Sequence, residues 1–157
     1  MTLQFDATLV PNRRRALQMA GLATLAAVLA PRMALATEAQ VAEEMKKLFG
    51  GKSMGEGKIK LDLPEIAENG LVVPINIDVD SPMTDADFVK SVHVFADGNP
   101  LPQVVTYTFA PESGRASAST RMRLAQTQNV IAVAEMSNGA LYSAKAQVKV
   151  TIGGCGG

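Results

Sequence analysis

Tryptophan is absent from this 157-residue chain, and histidine and cysteine occur once each. A single cysteine leaves no disulfide within the chain. The lone histidine, His93, excludes a blue-copper centre, which needs two histidines beside the cysteine. It also leaves one base at most for a serine or cysteine nucleophile, and no G-x-S-x-G elbow occurs. Aromatic residues make up only 4%, so a core must rest on Val, Ile, Leu, Ala and Met. The methionines beyond residue 36 (Met45, Met54, Met83, Met122, Met136) are scattered and read as fillers.

What is present describes a globular protein. Hydrophobic residues make up 47% and charged residues 19%, and the length suits one domain with a real core. The first thirty-six residues stand apart. "NRRRALQMAGLATLAAVLAPRMALA" reads as a basic region, a short apolar stretch and a small-residue cleavage site at Ala34-Leu35-Ala36. The apolar stretch, residues 16–30, is too short and alanine-rich for a membrane span. Arg13-Arg14 or Arg14-Arg15, followed by Leu17, resembles a twin-arginine export signal. Ala16 replaces the usual phenylalanine and Gln18 the frequent lysine. An ordinary Sec signal is the alternative. Either way the expectation is a periplasmic protein starting at Thr37.

Removing residues 1–36 leaves eleven basic against fourteen acidic side chains, a net charge of −3. No Lys/Arg run survives, so nucleic acid has no electrostatic footprint to bind, and no apolar run suggests a membrane anchor. Twin-arginine export carries folded cargo. With no cofactor motif visible, this suggests export together with a partner subunit.

Residues 37–152 divide into a helix and a run of strands. In "TEAQVAEEMKKLFGG", Val41, Met45 and Leu48 have helical spacing, acids come early, lysines late, and Gly50-Gly51 ends the pattern. The period then changes to two. "KIKLDL" alternates Ile59, Leu61 and Leu63 against polar residues. "LVVPINIDVD" puts Leu71, Val73, Ile75, Ile77 and Val79 on one face, with Pro74 outward, which suggests an edge or bulge. "FVKSVHVFA", "VVTYTFA", "ASTRMRLA" and "NVIAVAEMS" follow. The hairpin signal Asn138-Gly139 leads into "ALYSAKAQVKVTI", where Tyr142, Ala144, Ala146, Val148, Val150 and Ile152 share a face. About seven short strands without intervening helices predict an all-β, immunoglobulin-like antiparallel sandwich with a short N-terminal helix.

Few side chains suggest chemistry. His93, in an alternating strand, is expected to face solvent. Asp78, Asp80, Asp85 and Asp87 lack the glycine and bidentate glutamate of a calcium loop and read as solvated. Arg121 and Arg123 share a strand face and read as solvent-exposed, with an anion or partner contact as the alternative. No catalytic site, metal site or cofactor is expected.

Cys155 is different. The chain ends "VTIGGCGG", with glycine pairs Gly153-Gly154 and Gly156-Gly157 on either side. Glycines maximise backbone freedom, which works against a fixed nucleophile and suits a thiol that enters another protein's active site. From Gly153 to Cys155 the extended chain reaches roughly 10 Å. An unpaired cysteine in an oxidising compartment also needs a reason. The residues point to a thiol carrier with a flexible arm over residues 153–157.

"IGGCGG", together with "LPEIAENGLVVPI" and "STRMRLA", resembles the SoxY family, the sulfur-carrier subunits of bacterial thiosulfate oxidation. The resemblance implies that pathway intermediates attach covalently to Cys155. It implies a heterodimer with a SoxZ-like β-sandwich subunit and transient contact with three enzymes: a c-type haem enzyme that conjugates thiosulfate, a hydrolase that releases sulfate, and in many organisms a molybdenum–haem sulfane dehydrogenase. The carrier itself catalyses none of these steps. Two other readings stand beside it. One is a ubiquitin-like sulfur carrier loaded at Gly157. The other is an exported immunoglobulin-like binding module whose cysteine only forms an intermolecular disulfide.

Overall fold

The computed structural model describes residues 35–153. The expected signal peptide (1–36) lies outside the described residues but for Leu35 and Ala36, as does the expected arm (153–157) but for Gly153.

Helix α1 (Glu38–Phe49) starts at a capping box. Thr37 Oγ1 accepts from the Gln40 N–H at 3.3 Å, and Gln40 Oε1 accepts from the Thr37 N–H at 3.0 Å. Two amides that the helix cannot pair are thereby satisfied. Gly50 ends the helix at φ 65°, its N–H donating to the Lys46 carbonyl, the left-handed stop that glycine adopts without strain. The apolar stripe differs from the expected one: Val41 and Phe49 are buried, while Leu48 is 46% exposed. The helix rolls toward its largest apolar side chain, because the Phe49 ring has aromatic partners on the sheet below.

Eight strands follow: β1 (Ile59–Asp62), β2 (Ile66–Ala67), β3 (Val73–Val79), β4 (Val89–Ala96), β5 (Gln103–Thr108), β6 (Ala116–Met122), β7 (Gln128–Met136) and β8 (Leu141–Val150). They form a three-stranded sheet, β1-β3-β6, and a five-stranded sheet, β2-β8-β7-β4-β5. The all-β sandwich expected from the period-two pattern is the observed architecture. It departs from the expectation at β2, whose two residues pair parallel with β8, Ile66 opposite Lys149 and Ala67 opposite Val150. Two residues carry no period, so alternation could not announce this strand.

The core lies between the sheets. Val73, Ile75, Ile77 and Val79 of β3 face Val92 and Val94 of β4, Val130, Ala132 and Ala134 of β7, and Val148 of β8. Burying each of the valine and isoleucine side chains contributes about 1.5–3 kcal/mol, and each alanine less. Leu71, expected on the β3 face, precedes the strand and is 46% exposed. Ile152 lies beyond the end of β8 and is 68% exposed. Pro74 sits opposite Arg121 of β6 beyond the end of the β1 ladder at Asn76, so the proline falls where β3 has one neighbour, the edge position expected of it.

A second, smaller core covers the outer face of the five-stranded sheet, where Val41 and Phe49 of α1 pack on Phe95, Val133 and Leu141. Strand β7 is therefore apolar on both faces, which explains its unbroken "VIAVA" run. His93 lies on this covered face and not in solvent as expected. The Phe49 ring meets it edge-on at 5.2 Å and Phe95 stacks at 6.4 Å. The β7–β8 hairpin forms at Asn138-Gly139, with Gly139 at φ 81° and Asn138 Oδ1 accepting from the Ala140 N–H at 2.9 Å. No helix among the described residues is long and apolar enough to cross a membrane.

Candidate functional site

Cys155, Gly154, Gly156 and Gly157 lie outside the described residues. The described residues show how the segment that precedes them is held. Strand β8 ends at Val150, and its last turn is tied to β2 and the loop after it. The Thr151 N–H donates to the Ala67 carbonyl at 3.1 Å, and Thr151 Oγ1 to the Glu68 carbonyl at 2.9 Å. The Gly70 N–H then donates to the Ile152 carbonyl at 2.7 Å. Gly70 also accepts from the Leu124 N–H at 2.8 Å, joining the segment after β6 to the same knot.

Gly153 completes it. A Cβ there would collide with the Ala125 carbonyl oxygen, so glycine is required at this position for space.

Ala125 is in turn held from behind. Its N–H donates to Asn99 Oδ1 at 3.0 Å, Asn99 Nδ2 donates to the Arg123 carbonyl at 2.9 Å, and Gln128 Nε2 donates to Asn99 Oδ1 at 3.0 Å. Gln128 Oε1 accepts from the Gly98 N–H at 2.8 Å, and its Nε2 reaches the Gln126 carbonyl at 3.1 Å. Asn99 and Gln128 are the buried polar residues of the described domain. Buried amides cost stability unless paired; these are paired throughout. Sequence reasoning passed over both. Asn99, in the turn "DGNP", and Gln128, which opens an apolar strand, look like ordinary polar residues until the loops are brought together.

The other residues weighed for chemistry do not converge. His93 bonds Ser91 Oγ through Nε2 at 3.1 Å and Thr106 Oγ1 through Nδ1 at 3.1 Å. Burial pushes its pKa below the usual imidazole value, partly opposed by the charge of Glu135. Asp78 pairs with Arg115 on the outer face of the three-stranded sheet. The Asp87 N–H closes a turn onto Thr84 Oγ1 at 3.2 Å. Arg121 and Arg123 make no ion pair among the described residues. Nor do those residues hold a group of three or more His, Cys, Asp or Glu side chains that could bind a metal ion. A shallow open depression beside Asp78, lined also by Lys60, Asp62, Asn76, Ser117 and Ser119, holds polar groups that bond one another across strands.

Comparison with known proteins gives the family. The solved structure of the sulfur carrier protein SoxY from Chlorobium limicola f thiosulfatophilum matches with a TM-score of 0.62 and 31% identity, covering 74% of this chain and 100% of that one. Two further structures share the fold alone. A superoxide reductase (neelaredoxin) variant from Ignicoccus hospitalis has a TM-score of 0.50 and 15% identity, covering 59% of this chain and 79% of its own. A putative superoxide reductase from Thermotoga maritima has a TM-score of 0.50 and 20% identity, covering 68% and 89%. No curated protein sequence matched. The family model for sulfur oxidation protein SoxY matches residues 45–155, a span that runs from α1 through the knot at Gly153 to the cysteine itself. The chain belongs to the SoxY family of sulfur carriers, proteins that hold sulfur and do not catalyse its conversion.

Proposed function

We propose that this protein is a periplasmic carrier on which intermediates of thiosulfate oxidation are attached covalently at Cys155 and presented to partner enzymes. The observation that carries this reading is the family match, which extends to Cys155 itself. Leaving the domain at Gly153, the chain has no side chain but that of Cys155 in its last five residues. A narrow, accessible thiol is what sulfur transfer requires, since the thiolate is the reacting form.

The chemistry balances without a catalytic group on the carrier. Joining thiosulfate to the thiol forms an S–S bond, releases the thiol proton and passes two electrons, one at a time, to the conjugating haem enzyme and its electron acceptor. The product is a cysteine S-thiosulfonate. Hydrolysis by one water cleaves the terminal S–S bond, releasing sulfate and leaving the persulfide without a change in electron count. Oxidation of that sulfane sulfur to a sulfonate takes three waters and passes six electrons to the dehydrogenase. A SoxZ-like β-sandwich subunit is the stable partner, and export as a folded pair through a twin-arginine signal places the carrier in the periplasm.

The test is mass spectrometry of the tryptic peptide "VTIGGCGG", released after Lys149, from periplasm of cells grown with and without thiosulfate. Thiosulfate-dependent, reductant-sensitive sulfane and thiosulfonate additions on Cys155, lost in Cys155→Ser, are the expected result. Free thiol or a peptide dimer under both conditions overturns the reading.

A further inference from the structure

We infer that Asn99 and Gln128 are positioning residues, which set the backbone direction at Gly153, two residues before Cys155, by fixing the segment Arg123–Gln126 whose Ala125 carbonyl stands against Gly153. The inference rests on the carrier reading above and adds to it a role for two buried side chains in the body of the domain.

The orientation of both amides is fixed by their partners. Backbone N–H groups only donate, so the oxygen of Asn99 must face Ala125 and the oxygen of Gln128 must face Gly98. The remaining NH2 groups then point at carbonyls of Arg123 and Gln126. One network thus fastens the turn after β4 to the segment between β6 and β7. Packing reinforces it, since a Cβ at Gly98 would lie 3.0 Å from Gln128 Cβ and 3.1 Å from Gln126 Cγ.

Gly153 is confined from two directions. On one side the Ile152 carbonyl is bonded to Gly70, which is itself bonded to Leu124. On the other stands the Ala125 carbonyl, with no room for a side chain between. Residues Leu124 and Ala125 are adjacent, so the bond to Gly70 and the contact with Gly153 share one short segment. Asn99 grips that segment at Arg123 and at Ala125. Two apolar side chains of similar volume could fill the same space, but they would leave the Arg123 carbonyl and the Ala125 N–H without their partners.

The consequence is entropic. The thiol lies within roughly 10 Å of Gly153 whatever its conformation. A root fixed in direction limits the thiol to one sector of that sphere and so shortens its search for a channel, because orientation set in advance is not lost on binding. A loose root would present the same thiol with the same intrinsic reactivity, less often in the right direction.

Cys155 is the only cysteine, so a nitroxide label attached there reports directly. The experiment is paramagnetic broadening of backbone amide signals in the mature labelled protein, with its partner subunit where the two co-purify. The variants are Asn99→Ala, Gln128→Met and Gly153→Ala. Methionine keeps the volume of Gln128 and removes its hydrogen bonds. In the native sequence, broadening is expected to be confined to amides near Gly70, Leu71, Gln126 and Ile152. In each variant that retains a folded spectrum it is expected to spread beyond them.

Unlabelled protein supplies the second readout. The apparent KM of the conjugating haem enzyme for each variant should rise about tenfold with kcat unchanged. The rate of Cys155 with a small aromatic disulfide should not move. If Asn99→Ala does not fold, Gln128→Met carries the test. An unchanged broadening pattern in a folded Gln128→Met protein overturns the inference, as does broad, unconfined broadening in the native sequence. Failure of the carrier reading is distinguishable: there Cys155 acquires no sulfur in cells, whatever the label shows.

Discussion

The carbonyl of Ala125 lies so close to Gly153 that a methyl group cannot stand between them. Gly153→Ala must therefore move one of two segments that are both hydrogen-bonded elsewhere. Overpacking of this kind costs about 1–3 kcal/mol. Urea denaturation should show that loss in the midpoint, with an unchanged slope if the unfolded state is unaffected.

Phe49 is the anchor of the small outer core. Phe49→Ala removes a ring buried against His93, Phe95 and Val133, and truncations of this type cost about 3–5 kcal/mol. The loss falls on α1 more than on the sandwich, whose main core does not include Phe49. Trypsin should then cut at Lys46 and Lys47 while the eight-stranded body resists it.

His93 gives the fold a pH dependence of known sign. Burial lowers its pKa in the folded protein, so between the folded and unfolded values the unfolded chain binds more protons. The contribution of neutral His93 is fully present above about pH 6.5 and is lost as pH falls through the lowered folded value. Its neighbours are Ser91, Gln103 and Thr106 on the sheet, Glu135 on β7 and Phe49 above. Denaturation at pH 7.5 and 5.5 should show a drop in the native protein that shrinks in His93→Gln.

The Arg115–Asp78 pair on the outer sheet face is exposed on the arginine side. Arg115→Ala should change stability by less than about 1 kcal/mol, since surface pairs are screened by water and salt. A larger fall in the thermal midpoint would mean that the cross-strand network of Asp62, Asn76 and Ser119 depends on it.

The sandwich was legible because strands such as β3 bury one face and leave the other to solvent. Ile75, Ile77 and Val79 alternate with Asn76 and Asp78, and the alternation survives folding intact. The Gly50 limit of α1 was legible for a similar reason, as a terminating glycine acts within a few residues. Other features depend on tertiary contacts that no local pattern carries. His93 alternates like any half-exposed strand residue, and only the arrival of α1 over β4 covers it. Cys155 was singled out by its glycine neighbours and lies outside the described residues. The bonds around Gly153 gave no such signal, because Gly70, Asn99 and the pair Ala125 and Gln128 come from three separate stretches of the sequence.

Strand β2 is only two residues long, yet it flanks β8 on the side away from β7. The final residues of β8 are thus gripped along both edges, by Ile66 and Ala67 on one and by Gln128 opposite Val148 on the other. A pull applied at Gly153 along the axis of β8 would load the bonds on both edges together in shear, dividing the force between two neighbours. On the carrier reading proposed above, a partner's hold on the residues beyond Gly153 is resisted by two ladders at once, and the β-sandwich serves as a mooring.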